Sequence, residues 1–449
     1  MLFFNIVQAQ AKACGYQNRT SARTSVVILI TMALPDRIIS QKILKDQHNA
    51  LVFQKGRGNV YLVGGFIRDM VRGARSHDRD YIVFGDIRSF VKQIRAVTGG
   101  TVVEFNNEGM IRIALKGGDT LDFSKPQGSL EEDLSKRDFT MNAIAWSPQG
   151  ETVDLCNGMV DIGKKIIRSL SEENLIADPL RVLRAYRFAA ELDASIENRT
   201  RQMIKRLQNT IQNVSSERIT LEFFKLLNSS HSTKYLKMAL ADGVLTDILS
   251  IDYNILERAI RAVSHLEKTY FNRLPGIIKV SLNKTFSQNL TYKGLLCLET
   301  MLSDNFSPDK TSPLLAMSNV IQKRILLAQK GVRALKENRN ADKEKLFDMF
   351  TTAKDASIDV LILSNRVDLL TDYHRFQRIG RRGLVTAEEI VALSGVEPGA
   401  QLGRIILTIK KAHFSGKIAS KRQAILLIKA MVAEGNTLKY RRTQRPGDK

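Results

Sequence analysis

The chain has 449 residues, too many for a single core, and its 43% hydrophobic and 25% charged residues are ordinary for a soluble globular protein. Its net charge of +22 and pI of about 9.9 favour a polyanionic partner, nucleic acid or an acidic membrane, over a charge that serves solubility alone. Cys14, Cys156 and Cys297 lie far apart without a Cys-x-x-Cys pair, against a zinc site or disulfide framework and for a reducing, cytoplasmic compartment.

Residues 1–35 contain no acid but include Lys12, Arg19 and Arg23. They read either as a transit-like leader or as an extension upstream of Met32, and carry no part of the function. No segment spans a bilayer; the best, 26–34, is about half of the roughly 20 apolar residues needed. From 35 to 56 the spacing of Ile38, Ile43, Leu44 and Leu51 is loosely helical. A buried strand over 59–63 stops at Gly64-Gly65, and a helix over 66–72 follows. Then come a strand at 80–84, a helix at 90–98, and short strands at 102–105, 110–115 and 120–123. Segments 136–146 and 153–154 complete the sheet, so the first third is α+β with a mixed sheet. Beyond residue 162 strand signals nearly vanish. Helical periodicity runs through 177–192, 199–212, 216–227 and 233–242, then 255–269, 293–302, 314–336 and 342–370, and finally 387–394, 403–412 and 420–433. Loops fall near 273–276 and 303–313. The basic, breaker-rich stretch 439–449 reads as disordered.

Two features point to chemistry. A strand that ends in two glycines and leads into a helix lets backbone N–H groups approach a phosphate. Arg68 falls in the first turn of that helix, where the dipole disfavours a cation, a placement that makes sense opposite a triphosphate. Asp78-x-Asp80 places two carboxylates on one face of a strand, where they repel unless cations sit between them. Hard oxygen ligands of this kind suit Mg²⁺, and two such ions can activate a hydroxyl and stabilise a leaving pyrophosphate. A solvated turn is the competing explanation for the acids, and a plain tight turn for the glycines.

The combination resembles the nucleotidyltransferase superfamily related to DNA polymerase β. The segment from Asp133 through Arg137, Asp138 and Asn142 to Ala145 resembles the second signature of the class II tRNA nucleotidyltransferase (CCA-adding enzyme) and bacterial poly(A) polymerase family. Asp154, Gly158, Asp161 and Arg168 continue that pattern. Asp178-Pro179-Leu180-Arg181, with Arg184, Arg187 and Phe188, resembles the family's nucleotide-selecting helix. Ser216-Glu217-Arg218-Ile219 with Glu222 and Lys225 resembles its next motif, and Pro398 to Gly403 its tail.

The resemblance implies a nucleotidyltransferase head over 36–165, a helical neck over 166–250, a body over 251–385 and an RNA-binding tail over 386–438. It implies ATP and CTP as substrates, a two-magnesium site, and the 3′ end of tRNA or another RNA as partner, with no membrane. Gly64, Gly65 and Arg68 would position the triphosphate. Asp78 and Asp80 would hold the metal, with Asp122 the candidate third carboxylate. Arg137 and Asp138 would recognise the sugar, with Asn142 beside them.

Asp178 and Arg181, expected on one helical face at i and i+3, would read the base's Watson–Crick edge as a carboxylate acceptor and a guanidinium donor. Arg184 and Arg187 would add phosphate contacts. His77 is expected to be a supporting or solvent-facing residue. Basic residues crowd the tail, among them Arg404, Lys410, Lys411, Lys417 and Lys421. Two departures stand out. Ala177 replaces the acid usual at the start of the template motif, and the segment 124–130 is shorter than the loop implicated in switching from C to A. CC-only, A-only and poly(A) addition therefore stay open, as does an inactive RNA-binding protein.

Overall fold

The computed structural model describes residues 36–105, 109–147, 152–271, 274, 276–302, 315–338, 340 and 342–443. The expectations for residues 1–35, Cys14 and the loop at 303–313 fall outside the described residues. The chain divides at Tyr253 into two compact units.

The first unit opens with helices Asp36–Lys45 and Gln47–Gly56, the second capped by the Asp46 carboxylate on the backbone N–H groups of His48 and Asn49. A seven-stranded mixed sheet follows: β1 (Val60–Val63), β2 (Asp78–Val83), β3 (Thr101–Phe105), β4 (Met110–Ala114), β5 (Thr120–Ser124), β6 (Ile144–Trp146) and β7 (Thr152–Asp154). The spatial order is β3-β4-β5-β2-β1-β6-β7, with β2 and β5 parallel and the other neighbours antiparallel. Leu62, Tyr81, Ile82, Leu121 and Phe123 are fully buried on its central strands, and the Tyr81 and Phe123 rings stack at 5.1 Å. Helix Ile87–Thr98 covers the sheet with Ile87, Phe90, Val91 and Ile94, the i, i+3, i+4, i+7 stripe of an amphipathic helix. The parallel β2–β5 pairing matters most for the site, because it sets Asp80 directly opposite Asp122.

Four expectations need correction, the last of them a helix of the second unit. Residues 136–146 are not one sheet segment. Ser129 and Glu132 form a capping box that starts a helix over Leu130–Ser135, a 3₁₀ turn spans Thr140–Asn142, and the strand is only Ile144–Trp146. The nucleotide-selecting helix begins at Leu180. Asp178 is extended (φ −139°, ψ 93°) and ends the preceding helix Glu172–Ala177, because a residue before proline is pushed out of the helical region. The final helix Lys421–Thr443 continues through part of the stretch expected to be disordered; residues 444–449 lie outside the described residues.

Apart from a short parallel pair, Ile166–Ile167 with Ser195–Ile196, the rest of the first unit is helical, chiefly Leu180–Leu192, Asn198–Leu207, Ser216–Asn228, Ser232–Ala241 and Val244–Leu249. The second unit is helical apart from a small hairpin, Thr285–Ser287 with Leu290–Thr291. It turns through Gln288 and Asn289 at φ 48° and 62°, the left-handed pair a two-residue hairpin loop requires. The helix expected over 342–370 is broken at Lys354 and Asn365, both at positive φ, into Lys343–Ala353 and Ser357–Leu363. One core gathers Phe347, Phe350, Val360 and Phe414, and another Ile390, Ile405, Ile409 and Ile428. Among the described residues no helix is long and apolar enough to cross a membrane.

Candidate active site

β1 ends at Val63, which pairs with Asp80. The chain then turns at Gly64 (φ 75°, ψ −134°), a conformation L side chains resist, and enters helix Gly65–Val71. A Cβ on Gly64 would lie 3.1 Å from Arg137 Nη1 and 3.5 Å from Asp80 Oδ2, so the turn is close-packed against a guanidinium and a carboxylate.

Asp78 and Asp80 point from one face of β2, as the period-two reading requires. Thr120 Oγ1 donates to Asp78 Oδ1 at 2.8 Å. Among the described residues neither carboxylate has a cation within ion-pairing distance. Burial, opposed by Arg137 but reinforced by Asp122 and Asp78, pushes the Asp80 carboxyl up to about 6. Two adjacent oxygen ligands held charged at a cost, with no cationic partner, form a donor set that fits a hard divalent cation. No group of three or more His, Cys, Asp or Glu among the described residues converges as a metal cage. Asp122 explains why. It sits opposite Asp80, yet both of its oxygens accept from Arg112, Nε at 2.7 Å and Nη2 at 2.6 Å. Arg112 on β4 stands directly across from Asp122, so Arg112, Asp122 and Asp80 form a row over three strands. Arg112 was missed. Its signal was a charge alternating with the buried Ile111 and Ile113.

Arg68 is buried and engaged through each of its three nitrogens: Nη1 donates to Asn142 Oδ1 at 2.7 Å, and Nε and Nη2 donate to Asp69 at 2.9 Å each. Asn142 in turn donates to Asp138 Oδ1 at 2.9 Å. Burial raises the Asp138 carboxyl, but Arg184, 2.7 Å away, with Asn142 and the Phe139 N–H, outweighs it and holds Asp138 below its ordinary value. Arg137 pairs with Asp133 at 3.2 Å. Arg187 is enclosed by Glu222 at 2.6 Å and Glu191 at 2.9 Å and lies over the Phe188 ring, so its charge is balanced within the protein. Asp178 pairs with Arg218 at 3.0 Å and makes no intrahelical pair with Arg181. His77 is exposed and pairs through Nδ1 with Asp119 at 2.6 Å.

All of the predicted site residues except Asp122 line one cavity of about 360 Å³: Gly64, Gly65, Arg68, Asp78, Asp80, Arg137, Asp138, Asn142, Asp178, Arg181, Arg184 and Arg187. Asp69, Ser76, Phe188, Glu222 and Lys225 complete its wall. The wall is polar and carries both signs of charge, with an acidic end at Asp78 and Asp80. In the second unit several tail cations are spent internally: Lys411 pairs with Asp348, Lys417 with Glu344 and Lys421 with Glu389.

Residues 60–168 match the Poly A polymerase head domain, and residues 194–251 the probable RNA- and SrmB-binding site of polymerase A. A CC-adding tRNA nucleotidyltransferase of Geobacter sulfurreducens is 29% identical over 407 residues, 84% of this chain and 92% of the relative. A CCA-adding enzyme of Lactiplantibacillus plantarum is 27% identical over 398 residues, 84% of this chain and 93% of the relative. The Thermotoga maritima CCA-adding enzyme, solved in complex with tRNA, has the same fold, with a TM-score of 0.71 and 18% identity over 90% of this chain and all of that one. The chain thus carries the head and RNA-binding domains of the poly(A) polymerase family, and over most of its length it is similar to tRNA nucleotidyltransferases that add CC or CCA.

Proposed function

We propose that the chain adds nucleotides, without a nucleic-acid template, to the 3′ end of tRNA. The 3′ hydroxyl attacks the α-phosphorus of CTP or ATP, a P–O bond forms, and the bond to the leaving pyrophosphate breaks. The observation that carries this reading is the pair Asp78 and Asp80, without a cation among the described residues, in a cavity whose walls also hold Arg68, Arg137, Arg181 and Asp178. Asp78 and Asp80 would hold magnesium, which when bound supplies the positive charge that activates the hydroxyl and stabilises pyrophosphate.

The chain's own residues do the rest. The Gly64–Gly65 turn offers backbone at close approach to the phosphates. Arg137, whose guanidinium lies against that turn, meets the triphosphate or sugar. Asp138 and Asn142, locked to each other and to Arg68 and Arg184, form a rigid seat for the ribose. Asp178 and Arg181 read the base. Arg187 braces Glu222 and Phe188 rather than a phosphate. We place the head in residues 36–165, the neck in 166–250, the body in 251–385 and the RNA-gripping tail in 386–438.

A narrower reading, a stop after the second C, is favoured by one feature. The segment joining β5 to helix Leu130–Ser135 is short and pinned: Lys136 Nζ donates to Gln127 O at 3.1 Å, Gln127 N to Asp133 Oδ1 at 3.3 Å, and Ser129 caps the helix. Such a segment has little freedom to rearrange between nucleotides, and the Geobacter relative is named for CC addition.

The experiment supplies tRNA transcripts ending at the discriminator base, at C and at CC, with CTP or ATP separately. Incorporation of C on the first two supports the proposal. Absence of A on the CC-ended transcript supports the narrower reading, and addition of a single A to it overturns that reading. Long A tracts on unrelated RNA overturn the tRNA reading.

A further inference from the structure

We infer that Asn174 is the positioning residue that holds Arg181 in the orientation from which it selects the incoming base, an inference that rests on the reading of Asp178 and Arg181 as base readers. Ala177 offers no polar side chain at the start of the Asp178–Arg181 motif. The function of holding the readers falls three residues earlier. Asn174 Nδ2 donates to two main-chain carbonyls, Ser135 O at 2.7 Å and Arg137 O at 2.8 Å. Its own carbonyl accepts from Arg181 Nη1 at 2.9 Å and from the Asp178 N–H at 3.3 Å. Arg181 Nη1 also reaches Arg137 O at 3.4 Å, which closes a ring of hydrogen bonds through Asn174, Arg137 and Arg181.

Asn174 is itself set in place by Ser171, whose Oγ accepts the Asn174 N–H at 3.2 Å and caps helix Glu172–Ala177. One residue thus ties the segment that carries Arg137 and Asp138 to the segment that carries Asp178 and Arg181.

The ring has a chemical consequence. A guanidinium has five N–H donors in a fixed fork. Turning Nη1 inward onto two carbonyls leaves Nε and Nη2, for which the described residues provide no acceptor, on a side chain that lines the cavity. A fork so fixed presents two parallel donors, which match the adjacent N3 and O2 acceptors of a cytosine. A guanidinium free to rotate matches a uracil or purine edge nearly as well, so Asn174 acts on selection and not on the chemical step.

The test is the isosteric variant Asn174→Asp, which turns two donors into an acceptor facing the Ser135 and Arg137 carbonyls. Steady-state addition is measured on the full-length protein with a tRNA ending at the discriminator base and with CTP, UTP and ATP separately. The loss of one to two net hydrogen bonds is expected to raise the KM for CTP about five- to tenfold. The kcat for CTP should stay within about twofold, and the preference for C over U should fall about tenfold, as interactions lost from base recognition rather than chemistry require. Asn174→Gln, which keeps the amide, should lie closer to wild type in both quantities. Should Asn174→Asp fail to fold, as judged by its melting midpoint, Asn174→Ala is read in its place.

Arg181→Ala in the same assay separates the two claims. If Arg181→Ala abolishes the preference for C and the Asn174 variants leave it intact, the inference about Asn174 is overturned. If Arg181→Ala itself keeps the preference, the reading of Arg181 has failed. An equal loss of kcat for all three nucleotides, with KM unchanged, also overturns the inference.

Discussion

Asp80→Asn should make the metal-free protein more stable while abolishing nucleotide addition. The Asp80 carboxyl is pushed from the ordinary aspartate value of 3.8 to about 6 by burial, with Asp122 and Asp78 adding to the repulsion that Arg137 partly offsets. Such a displacement corresponds to about 3 kcal/mol at neutral pH. Solvent still reaches the carboxylate at the mouth of the cavity, which reduces the expected penalty to about 2 kcal/mol. The sign follows from linkage: the folded state binds this proton more tightly than the unfolded state, so the penalty is absent below the unfolded value, grows as pH rises toward 6 and is complete above it. The assay is thermal unfolding of the full chain in EDTA at about pH 5 and about pH 7.5. At the higher pH the variant should melt roughly 4–8 °C above wild type, given about 2–4 °C per kcal/mol for a unit of this size. At the lower pH the gap should narrow. Magnesium should raise the wild-type midpoint and leave the variant unmoved. Equal stability of the two proteins at pH 7.5, or a gain of the same size at both pH values, would refute the argument that an uncompensated charge sits at Asp80.

Gly64→Ala forces a Cβ into a backbone region closed to L residues and to within 3.1 Å of Arg137 Nη1. It should cost about 1–3 kcal/mol in urea unfolding and raise the KM for CTP; a variant with wild-type stability would show that the turn is not strained. Arg112→Met leaves the buried Asp122 without its cation and should destabilise the protein by roughly 2–4 kcal/mol, most of it recovered in the double variant with Asp122→Asn. A double-mutant cycle without coupling would mean that the pair is incidental. In the second unit, burial pushes the Glu299 carboxyl well above its ordinary value, helped by Asp359, and among the described residues neither of its oxygens has a hydrogen-bond partner. Glu299→Gln should therefore stabilise the chain at about pH 8, with the gain fading as pH falls toward the ordinary glutamate value of 4.5. Denaturant unfolding at about pH 5 and pH 8 measures it, and a destabilised variant at pH 8 would contradict the burial argument.

Local rules made much of the site legible. Gly64-Gly65 after an apolar run, and two acids two residues apart in a strand, are short-range patterns whose geometry depends only on backbone periodicity. The rule that a residue before proline leaves the helix would also have put Asp178 outside its helix, and the Ser129–Glu132 box would have located helix Leu130–Ser135. These errors came from following hydrophobic spacing past a stronger local signal. Asp122 is a different case. Its place beside Asp80 follows from the parallel pairing of β2 and β5, and its capture by Arg112 from the pairing of β4 with β5.

The amino-acid order thus determined which residues could carry the chemistry: the glycine turn, the paired acids, and Asp178 and Arg181, the acceptor and donor proposed to read the base. Its strong positive charge likewise pointed to a polyanion. Only the tertiary structure decided which of those charges remain available. Arg68 is spent on Asp69 and Asn142, Arg187 on Glu222, Asp122 on Arg112 and Asp178 on Arg218, while Asp78 and Asp80 have no cation among the described residues. A charge buried beside others takes whichever opposite charge the fold brings within ion-pairing distance. Which one arrives depends on strand order and helix packing between distant segments, 40 residues apart for Asp178 and Arg218, a matter that no local pattern encodes.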